Sequence, residues 1–181
     1  MIKTENYLQK IGDDIWFTEV DRSDLKIDYR IKEVVYSESS PIQEIMILDS
    51  YDFGRMLVLD DAVQTTAQDG YIYNEMIAHI PLNIHPNPKN VLIIGGGDCG
   101  AAREAAKHHN IDRIDMVEID EMVVKASKQY LQEVSGNLSD PRVNFIFEDG
   151  TAYVKEKRDY LYDVIIVDSS DPVGQIGRAH V

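Results

Sequence analysis

Cysteine is nearly absent from this chain, which has one residue of that type, Cys99, among 181. An internal disulfide is therefore excluded, and the composition suits a reducing compartment, so we expect a cytoplasmic protein. No apolar run is long enough to cross a membrane, and no signal peptide, repeat or low-complexity segment is expected. Four of the five histidines lack metal-ligand spacing with the cysteine or with one another, so no bound metal is expected (His79, His85, His108, His109).

Basic residues are scarce relative to acidic ones. The chain has 18 Lys and Arg against 32 Asp and Glu, which gives a formal net charge of −14 at pH 7. This balance argues against nucleic acid as a partner and suits a polycationic substrate. Many cytosolic proteins are equally acidic, so the net charge alone does not identify the ligand.

A glycine turn between an apolar run and a helical segment is the most informative motif. Residues 91–94 predict a buried strand, the glycines at 95–97 predict the tight turn after it, and residues 103–107 predict a helix. This order places backbone N–H groups and a helix N-terminus against a nucleotide-like ligand. Asp98 lies in the turn, where a phosphate would meet an anion, so we expect a ligand with a cationic end.

Acidic residues also follow the neighbouring strands. The second apolar run ends at Glu118, twenty residues after Asp98, a spacing at which a carboxylate commonly accepts hydrogen bonds from ribose hydroxyls. The next two runs end at Asp149-Gly150 and at Asp168. Each acid alone could instead cap the following helix or face solvent. Because ligands bind outside the carboxyl ends of the strands in an open α/β sheet, the joint pattern predicts one cofactor crevice.

These motifs resemble those of the polyamine aminopropyltransferases, with the spermidine synthases as the nearest group. The resemblance extends from about Asp14 to Gly174 and includes segments upstream of the glycine turn. The matching segments are residues 57–60, 63–66, 73–76, 85–88, 95–98, 103–104, 117–121, 149–150 and 163–172. The resemblance implies a transferase of polyamine and spermidine biosynthesis that holds no permanent cofactor and no metal.

The resemblance implies decarboxylated S-adenosylmethionine as co-substrate. Its aminopropyl arm ends in an ammonium, which Asp98 would attract, whereas Asp98 would repel the carboxylate of ordinary S-adenosylmethionine. Glu118 would bind the ribose hydroxyls, and Asp149 with Gly150 would face the adenine. The residues implied to bind the co-substrate are Gln43, Gln64, Gly95, Gly97, Asp98, Glu118, Asp149, Gly150 and Asp168.

The implied reaction is an in-line attack of a putrescine amine on the methylene next to sulfur, which gives spermidine and 5′-methylthioadenosine. The attacking amine must lose a proton, and Asp168 matches the family's catalytic position for accepting it. Holding both reactants in line would supply much of the rate. The residues implied to bind the diamine are Asp171, Tyr73, Asn74 and Gln64.

The predicted fold class is α/β, with a Rossmann-like, mostly parallel sheet of the class I methyltransferase type and a small N-terminal antiparallel β domain. We expect the β domain over residues 1–66, a helix and linker over 67–90, and the cofactor domain over 91–174. Strands are predicted at 45–48 and 56–59, and a helix at 69–79. The resemblance implies that the β domain mediates a homodimer or homotetramer.

Two other functions remain open. A methyltransferase that uses S-adenosylmethionine would share this sheet, but such enzymes commonly carry an acidic residue two positions before the first glycine, where this chain has Ile93. They also rarely place an aspartate after the third glycine. The putrescine N-methyltransferases, a sister family, are the nearest form of this alternative. A non-catalytic relative acting as a subunit is the other, and the acidic residues that are present give it no support.

The chain departs from the family pattern in several places, including Asp61, where glycine is usual and little effect on the chemistry is expected. Cys99 stands where glycine is usual, and a positive φ there would strain a cysteine by roughly 1–2 kcal/mol. Gly70 removes a carboxylate near the amine site, which leaves the choice among putrescine, cadaverine and spermidine open. The back-translation of residues 175–181 matches a common sequencing adapter. We expect these residues to be a non-native tail on a C-terminally truncated chain that is itself inactive.

Overall fold

The computed structural model of the chain describes residues 7–22, 24–136, 138–156 and 161–169. The described elements form two sheets and five helices. In chain order they are β1 Leu8–Ile11, β2 Asp14–Arg22, β3 Leu25–Ser39, β4 Glu44–Ser50, β5 Gly54–Leu59, β6 Ala62–Thr66, α1 Gly70–Ile84, β7 Asn90–Gly95, α2 Gly100–Ala106, β8 Arg113–Glu118, α3 Glu121–Tyr130, α4 Gln132–Ser135, β9 Val143–Phe147, α5 Gly150–Lys155 and β10 Val164–Asp168. The predicted tail at 175–181 lies outside the described residues.

The first sheet is antiparallel, and its six strands pair in chain order from β1 to β6. Its centre is apolar on both faces, since β4 turns Ile45 and Ile47 toward one hydrophobic cluster and Met46 and Leu48 toward another. Strands that are covered on both sides have near-continuous apolar sequences, which is why residues 45–48 form an unbroken run. The strands predicted at 45–48 and 56–59 lie within β4 and β5.

The second sheet is parallel, in the order β10-β7-β8-β9. From β7 the chain moves outward through β8 to β9, and it then returns to place β10 on the opposite side of β7. The carboxyl ends of β7 and β10 therefore flank the point where the strand order reverses, which is where open α/β sheets form a ligand crevice. The predicted Rossmann-like sheet with an N-terminal antiparallel sheet is confirmed.

Helix α1 leads from the first sheet to the second and carries Tyr73 and Asn74. It continues through Pro81 to Ile84, five residues beyond the predicted end. Its buried face repeats every four residues, at Gly70, Asn74, Ala78 and Leu82. Within the described ranges, no helix has both the length and the apolar character needed to cross a membrane.

Helix α1 is joined to α2 by a polar cluster. The ring of His79 lies with Nδ1 2.9 Å from Nε2 of His108 and with Nε2 3.1 Å from Oε2 of Glu104. Glu104 is fully buried and also pairs with Arg103 and Lys107. These contacts hold the helix of Tyr73 and Asn74 against the helix that follows the glycine turn.

One hydrophobic cluster joins the antiparallel sheet to helices α3 and α4. Ile45, Ile47 and Leu57 of the antiparallel sheet pack with side chains of these helices, among them Val123 of α3 and Val134 of α4. Because α3 begins directly after β8, this cluster fixes the antiparallel sheet against the carboxyl end of the parallel one.

Replacement of Leu57 should test this shared cluster. The side chain is 1% exposed, so Leu57→Ala should lower the free energy of unfolding by about 2–5 kcal/mol through lost burial and a residual cavity. Urea unfolding followed by circular dichroism measures the change. The matched control is Leu161→Ala, just before β10, where the leucine is 86% exposed and the expected change is within about 0.5 kcal/mol. Equal losses at both positions would contradict the packing of β5 on α3 and α4.

Candidate functional site

The glycine turn passes directly against the end of β10. Gly95 pairs with Asp168 in the parallel register, and the N–H of Gly96 donates to the Asp168 carbonyl oxygen at 2.9 Å. Both glycines have positive φ, 85° and 77°. A Cβ on Gly95 would lie 2.1 Å from the Asp168 carbonyl oxygen. The turn therefore requires glycine for both its backbone conformation and its close approach to β10.

Asp98 occupies the end of the turn, where it is partly buried. Its Oδ1 accepts the N–H of Gly100 at 2.8 Å. Burial raises the pKa of Asp98, while that N–H, the side chain of Asn74 and the charge of Arg103 oppose the rise. Asn74 is almost fully buried and reaches the turn because Gly100 has no side chain, as a Cβ there would lie 2.0 Å from Asn74 Nδ2.

Cys99 has φ of 67°, so the condition under which a cysteine is strained at this position is met. The cost of such a left-handed conformation is about 1–2 kcal/mol. Its side chain is fully buried in the core of the parallel sheet, and burial raises the pKa of the thiol to about 12. The thiol therefore stays protonated at neutral pH and acts as a small apolar side chain.

Glu118 closes β8 opposite the turn and is 8% exposed. Its Oε1 accepts the N–H of Asp120 at 3.0 Å. Burial raises the pKa of Glu118, while the N–H groups of Asp120, Ile119 and Gly97 oppose the rise. A Cβ on Gly97 would lie 3.1 Å from Glu118 Oε2, so the glycine turn and this carboxylate are in direct contact.

Asp168 and Tyr73 meet on the β10 side of the glycine turn, at the predicted crevice. The hydroxyl of Tyr73 donates to Oδ1 of Asp168 at 2.9 Å. Burial, followed by the charge of Asp98, raises the pKa of Asp168 to about 6; Glu118 adds to the rise and the Tyr73 hydrogen bond opposes it. A carboxylate with a pKa near neutrality, next to a crevice, is suited to accept a proton from a bound substrate.

The structure therefore brings most of the predicted site residues to one place. Three carboxylates from different segments, Asp98, Glu118 and Asp168, interact electrostatically around the glycine turn, and we call them the carboxylate cluster. Tyr73 contacts this cluster directly, and Asn74 lies beside Asp98.

Other predicted residues have contacts elsewhere. Gln43 donates from Nε2 to Oδ2 of Asp120 at 3.1 Å, which places it next to the Glu118 loop. Gln64 is exposed on β6, and its amide donates to the Ala62 carbonyl of the same strand at 3.1 Å. Asp171 lies outside the described residues.

At the end of β9, the acidic residue caps the helix that follows. The sequence left this capping role open for each of the strand-end acids. Asp149 is exposed and caps α5, where its Oδ1 accepts the N–H of Ala152 at 2.8 Å. Gly150 follows and packs on β7, since a Cβ there would lie 2.5 Å from Ile94 Cγ2. In this structure the carboxylate of Asp149 serves the helix that follows it.

Two residues next to the site were missed by the sequence analysis. Asp120 caps α3 through the N–H of Met122 and also accepts the Ser40 hydroxyl at 2.5 Å. An acidic residue after a strand that begins a helix is a local capping signal, so Asp120 was open to prediction. Ser40 was not, because its partner lies 80 residues away in the chain.

Comparison with protein families covers most of the chain. Residues 70–180 match the family model described as the spermine/spermidine synthase domain. Residues 15–67 match the model described as the spermidine synthase tetramerisation domain.

Two curated relatives are identical to this chain at about half of the matched positions. The polyamine aminopropyltransferase of Methanocaldococcus jannaschii is 50% identical over 160 residues, which are 88% of this chain and 54% of that protein. The polyamine aminopropyltransferase of Moorella thermoacetica is 49% identical over 160 residues, 88% of this chain and 56% of that protein. The chain therefore spans about half the length of the curated relatives it matches.

Solved structures share the fold. A spermidine synthase in complex with the transition-state analogue AdoDATO is 38% identical, with a TM-score of 0.84 over 94% of this chain and 58% of that one. A spermidine synthase from Thermotoga maritima is 37% identical, with a TM-score of 0.83 over 93% of this chain and 59% of that one.

The close approach of the turn to β10 leads to a stability prediction. Gly95→Ala places a Cβ against the Asp168 carbonyl at positive φ, so we expect the free energy of unfolding to fall by about 3 kcal/mol or more. Gly12→Ala is the matched control, because Gly12 has a similar φ of 66° but nothing within 4 Å of the added Cβ. That control should lose only about 1–2 kcal/mol. If urea unfolding gave equal losses for the two variants, the close contact at Gly95 would be wrong.

Proposed function

The chain belongs to the spermine/spermidine synthase family, and we propose that the complete protein is an aminopropyltransferase acting on decarboxylated S-adenosylmethionine and putrescine. Its products would be spermidine and 5′-methylthioadenosine. The observation that carries the proposal is the carboxylate cluster around the glycine turn, because this site suits a nucleoside whose attached arm is cationic. Because the chain spans about half the length of its relatives, the proposal concerns the whole protein.

Asp98 is proposed to select the decarboxylated co-substrate. Burial raises its pKa, so the ionised carboxylate is less stable there than in water. Arg103, a cation that acts on it, is held by Glu104 and by the Glu133 carbonyl. An incoming ammonium would pair with Asp98 and favour its ionised form, whereas the carboxylate of ordinary S-adenosylmethionine would meet a second anion.

The nucleoside part is proposed to lie across the carboxyl ends of β7, β8 and β9. Glu118 faces the glycine turn and would accept hydrogen bonds from the ribose hydroxyls. Gln43 would approach from the antiparallel sheet, where its amide lies on the Glu118 loop. Asp149 and Gly150 would face the adenine, and Gly95 with Gly97 would let the co-substrate approach the backbone.

Asp168 is proposed as the proton acceptor for the attacking amine. The new C–N bond forms on the methylene next to sulfur, the C–S bond breaks to release a neutral thioether, and Asp168 takes the amine proton. With a pKa of about 6, most of Asp168 is ionised at neutral pH and can accept this proton. Tyr73 would orient Asp168 and the amine, and the diamine would also contact Asn74, Gln64 and Asp171.

A homotetramer is proposed to form through the antiparallel sheet, in the cytoplasm. The match of residues 15–67 to a tetramerisation domain supports this, as do four large apolar side chains of β2 and β3 that are 39–48% exposed (Val20, Leu25, Ile27, Val34). We also propose the domain division given above, with the β domain over 1–66, the helix and linker over 67–90 and the cofactor domain over 91–174.

Calorimetry with two ligands tests the proposed function. The complete protein should bind decarboxylated S-adenosylmethionine at least about 100-fold more tightly than S-adenosylmethionine, since one charge is attracted and the other repelled. Asp98→Asn should reduce that preference to about 10-fold or less, because it removes both effects. Equal or reversed preference in the unaltered protein would instead indicate a methyltransferase, and binding of neither would indicate a non-catalytic relative.

The pH dependence of transfer tests the proton acceptor. If Asp168 must be ionised, kcat/KM should fall as the pH is lowered through about 6. Tyr73→Phe removes a hydrogen bond that stabilises the ionised form, so the pKa of Asp168 rises and the acidic limb moves to higher pH. Asp168→Asn is the reference variant, and it should lose most transfer while still binding the co-substrate. An acidic limb that is unchanged in Tyr73→Phe would contradict the assigned role of this hydrogen bond.

A further inference from the structure

We propose that Ser40 and Asp120 are positioning residues for the co-substrate. In this proposal the turn between β3 and β4 of the antiparallel sheet sets the position of Glu118 through the Asp120 carboxylate, without touching the ligand. The inference rests on the proposed function and deepens it, since it concerns how the ribose-binding carboxylate is held.

Asp120 is a buried carboxylate, 3% exposed, that is held from two sides. From the antiparallel sheet, Ser40 Oγ donates to its Oδ2 at 2.5 Å and Gln43 Nε2 donates to the same oxygen at 3.1 Å. From its own helix, the N–H of Met122 donates to Oδ1 at 3.0 Å. All three donors are neutral, so each bond matters for keeping the charged carboxylate inside the protein.

The Ser40 hydroxyl is itself fixed by the turn. It accepts the N–H groups of Ile42 and Gln43, both at 3.0 Å, and the Ser40 N–H donates to the Gln43 carbonyl at 2.9 Å. Its single hydrogen points to Asp120, which is nearer and more strongly charged than the Gln43 carbonyl at 3.2 Å. The turn therefore presents a preorganised donor to Asp120.

Asp120 transmits this contact to Glu118. The N–H of Asp120 donates to Oε1 of Glu118 at 3.0 Å, and Glu118 in turn lies against Gly97 of the glycine turn. Loss of the Ser40 hydroxyl would leave the buried Asp120 carboxylate with one donor fewer, so the carboxylate would move toward water. Its backbone N–H would then move away from Glu118, and the ribose-binding carboxylate would lose its fixed orientation.

This arrangement also gives Gln43 a second role. The resemblance implies that Gln43 contacts the co-substrate, whereas here its amide is bonded to Asp120. Substitution of Ser40 tests the positioning role separately from ligand contact. The Ser40 hydroxyl bonds to Asp120 and to N–H groups of its own turn, and the resemblance implies no contact between Ser40 and the ligand.

The test compares two ligands in the complete protein by calorimetry: 5′-methylthioadenosine and its analogue without the two ribose hydroxyls. Ser40→Ala should weaken binding of the first about 10-fold and of the second about twofold or less. Ser40→Thr retains the hydroxyl and should restore binding. Ser39→Ala, at an exposed neighbouring serine, is the matched control and should bind both ligands as the unaltered protein does. Equal weakening of both ligands in Ser40→Ala would refute a role in holding the ribose-binding carboxylate.

The outcomes separate this inference from the proposed function. If the unaltered protein prefers the ribose ligand and Ser40→Ala keeps the full preference, the inference is wrong and the proposed function stands. If the unaltered protein binds neither ligand, the proposed function is wrong, and the ligand role of Ser40 is wrong with it. Hydrogen exchange in the free protein then tests whether Ser40 positions Asp120. Faster exchange of the Asp120 and Met122 amides in Ser40→Ala, restored in Ser40→Thr, supports the positioning contact, and unchanged exchange refutes it.

Discussion

The approach of the glycine turn to the end of β10 is the constraint on which the candidate site depends. Gly95 and Asp168 are partners in the parallel register, and the bond from the Gly96 N–H to the Asp168 carbonyl closes the gap between the two strand ends. A side chain on Gly95 would push β10 away from β7, because the space for its Cβ is filled by backbone. Separation of these strands would move Asp168 away from Asp98 and from Glu118 at the end of β8. The crevice and its electrostatics therefore follow from a backbone contact.

The carboxylate cluster opposes folding at neutral pH and gives the site its chemistry. Asp168 has an ordinary pKa of 3.8 and a pKa of about 6 in the folded chain. Between these values the folded state binds the proton more tightly than the unfolded state does, so this group's contribution to stability is present at low pH and is lost as the pH rises through about 6. Burial also raises the pKa of Asp98 and of Glu118. A cationic ligand would stabilise the ionised carboxylates and reduce the repulsion of Asp168 by Asp98 and Glu118.

The antiparallel sheet also determines where helix α3 lies. It packs on α3 and α4 through a shared apolar cluster, and Arg55 of β5 donates to the Tyr130 carbonyl at the end of α3 at 2.6 Å. The β3–β4 turn contacts the start of the same helix at Asp120. Helix α3 is thus held by the antiparallel sheet at both ends, and its first residues follow directly after Glu118. The position of one wall of the crevice depends on a sheet that is remote in sequence.

The sequence by itself determined the elements and the strand-end acids. Apolar runs such as 91–94 and 143–147 have the length and composition of buried strands, and a glycine turn followed by a helical segment specifies a βαβ unit, so the fold class was predictable from local patterns. Strain at Cys99 was predicted only on the condition of a positive φ, and the structure meets that condition. The helix predicted to end at residue 79 continues to Ile84, because Leu82 packs in the same core as the alanines of α2.

Only the tertiary structure decided which strand-end acids act together. Asp149 and Glu118 have the same local signal, yet Asp149 is exposed and caps its helix while Glu118 is buried against the glycine turn. The strand order decides this difference, since β8 lies beside β7 and β9 lies at the sheet edge. The contacts of Tyr73 with Asp168 and of Ser40 with Asp120 join residues 95 and 80 positions apart. Such pairs depend on how whole elements pack, and no local pattern in the sequence encodes that.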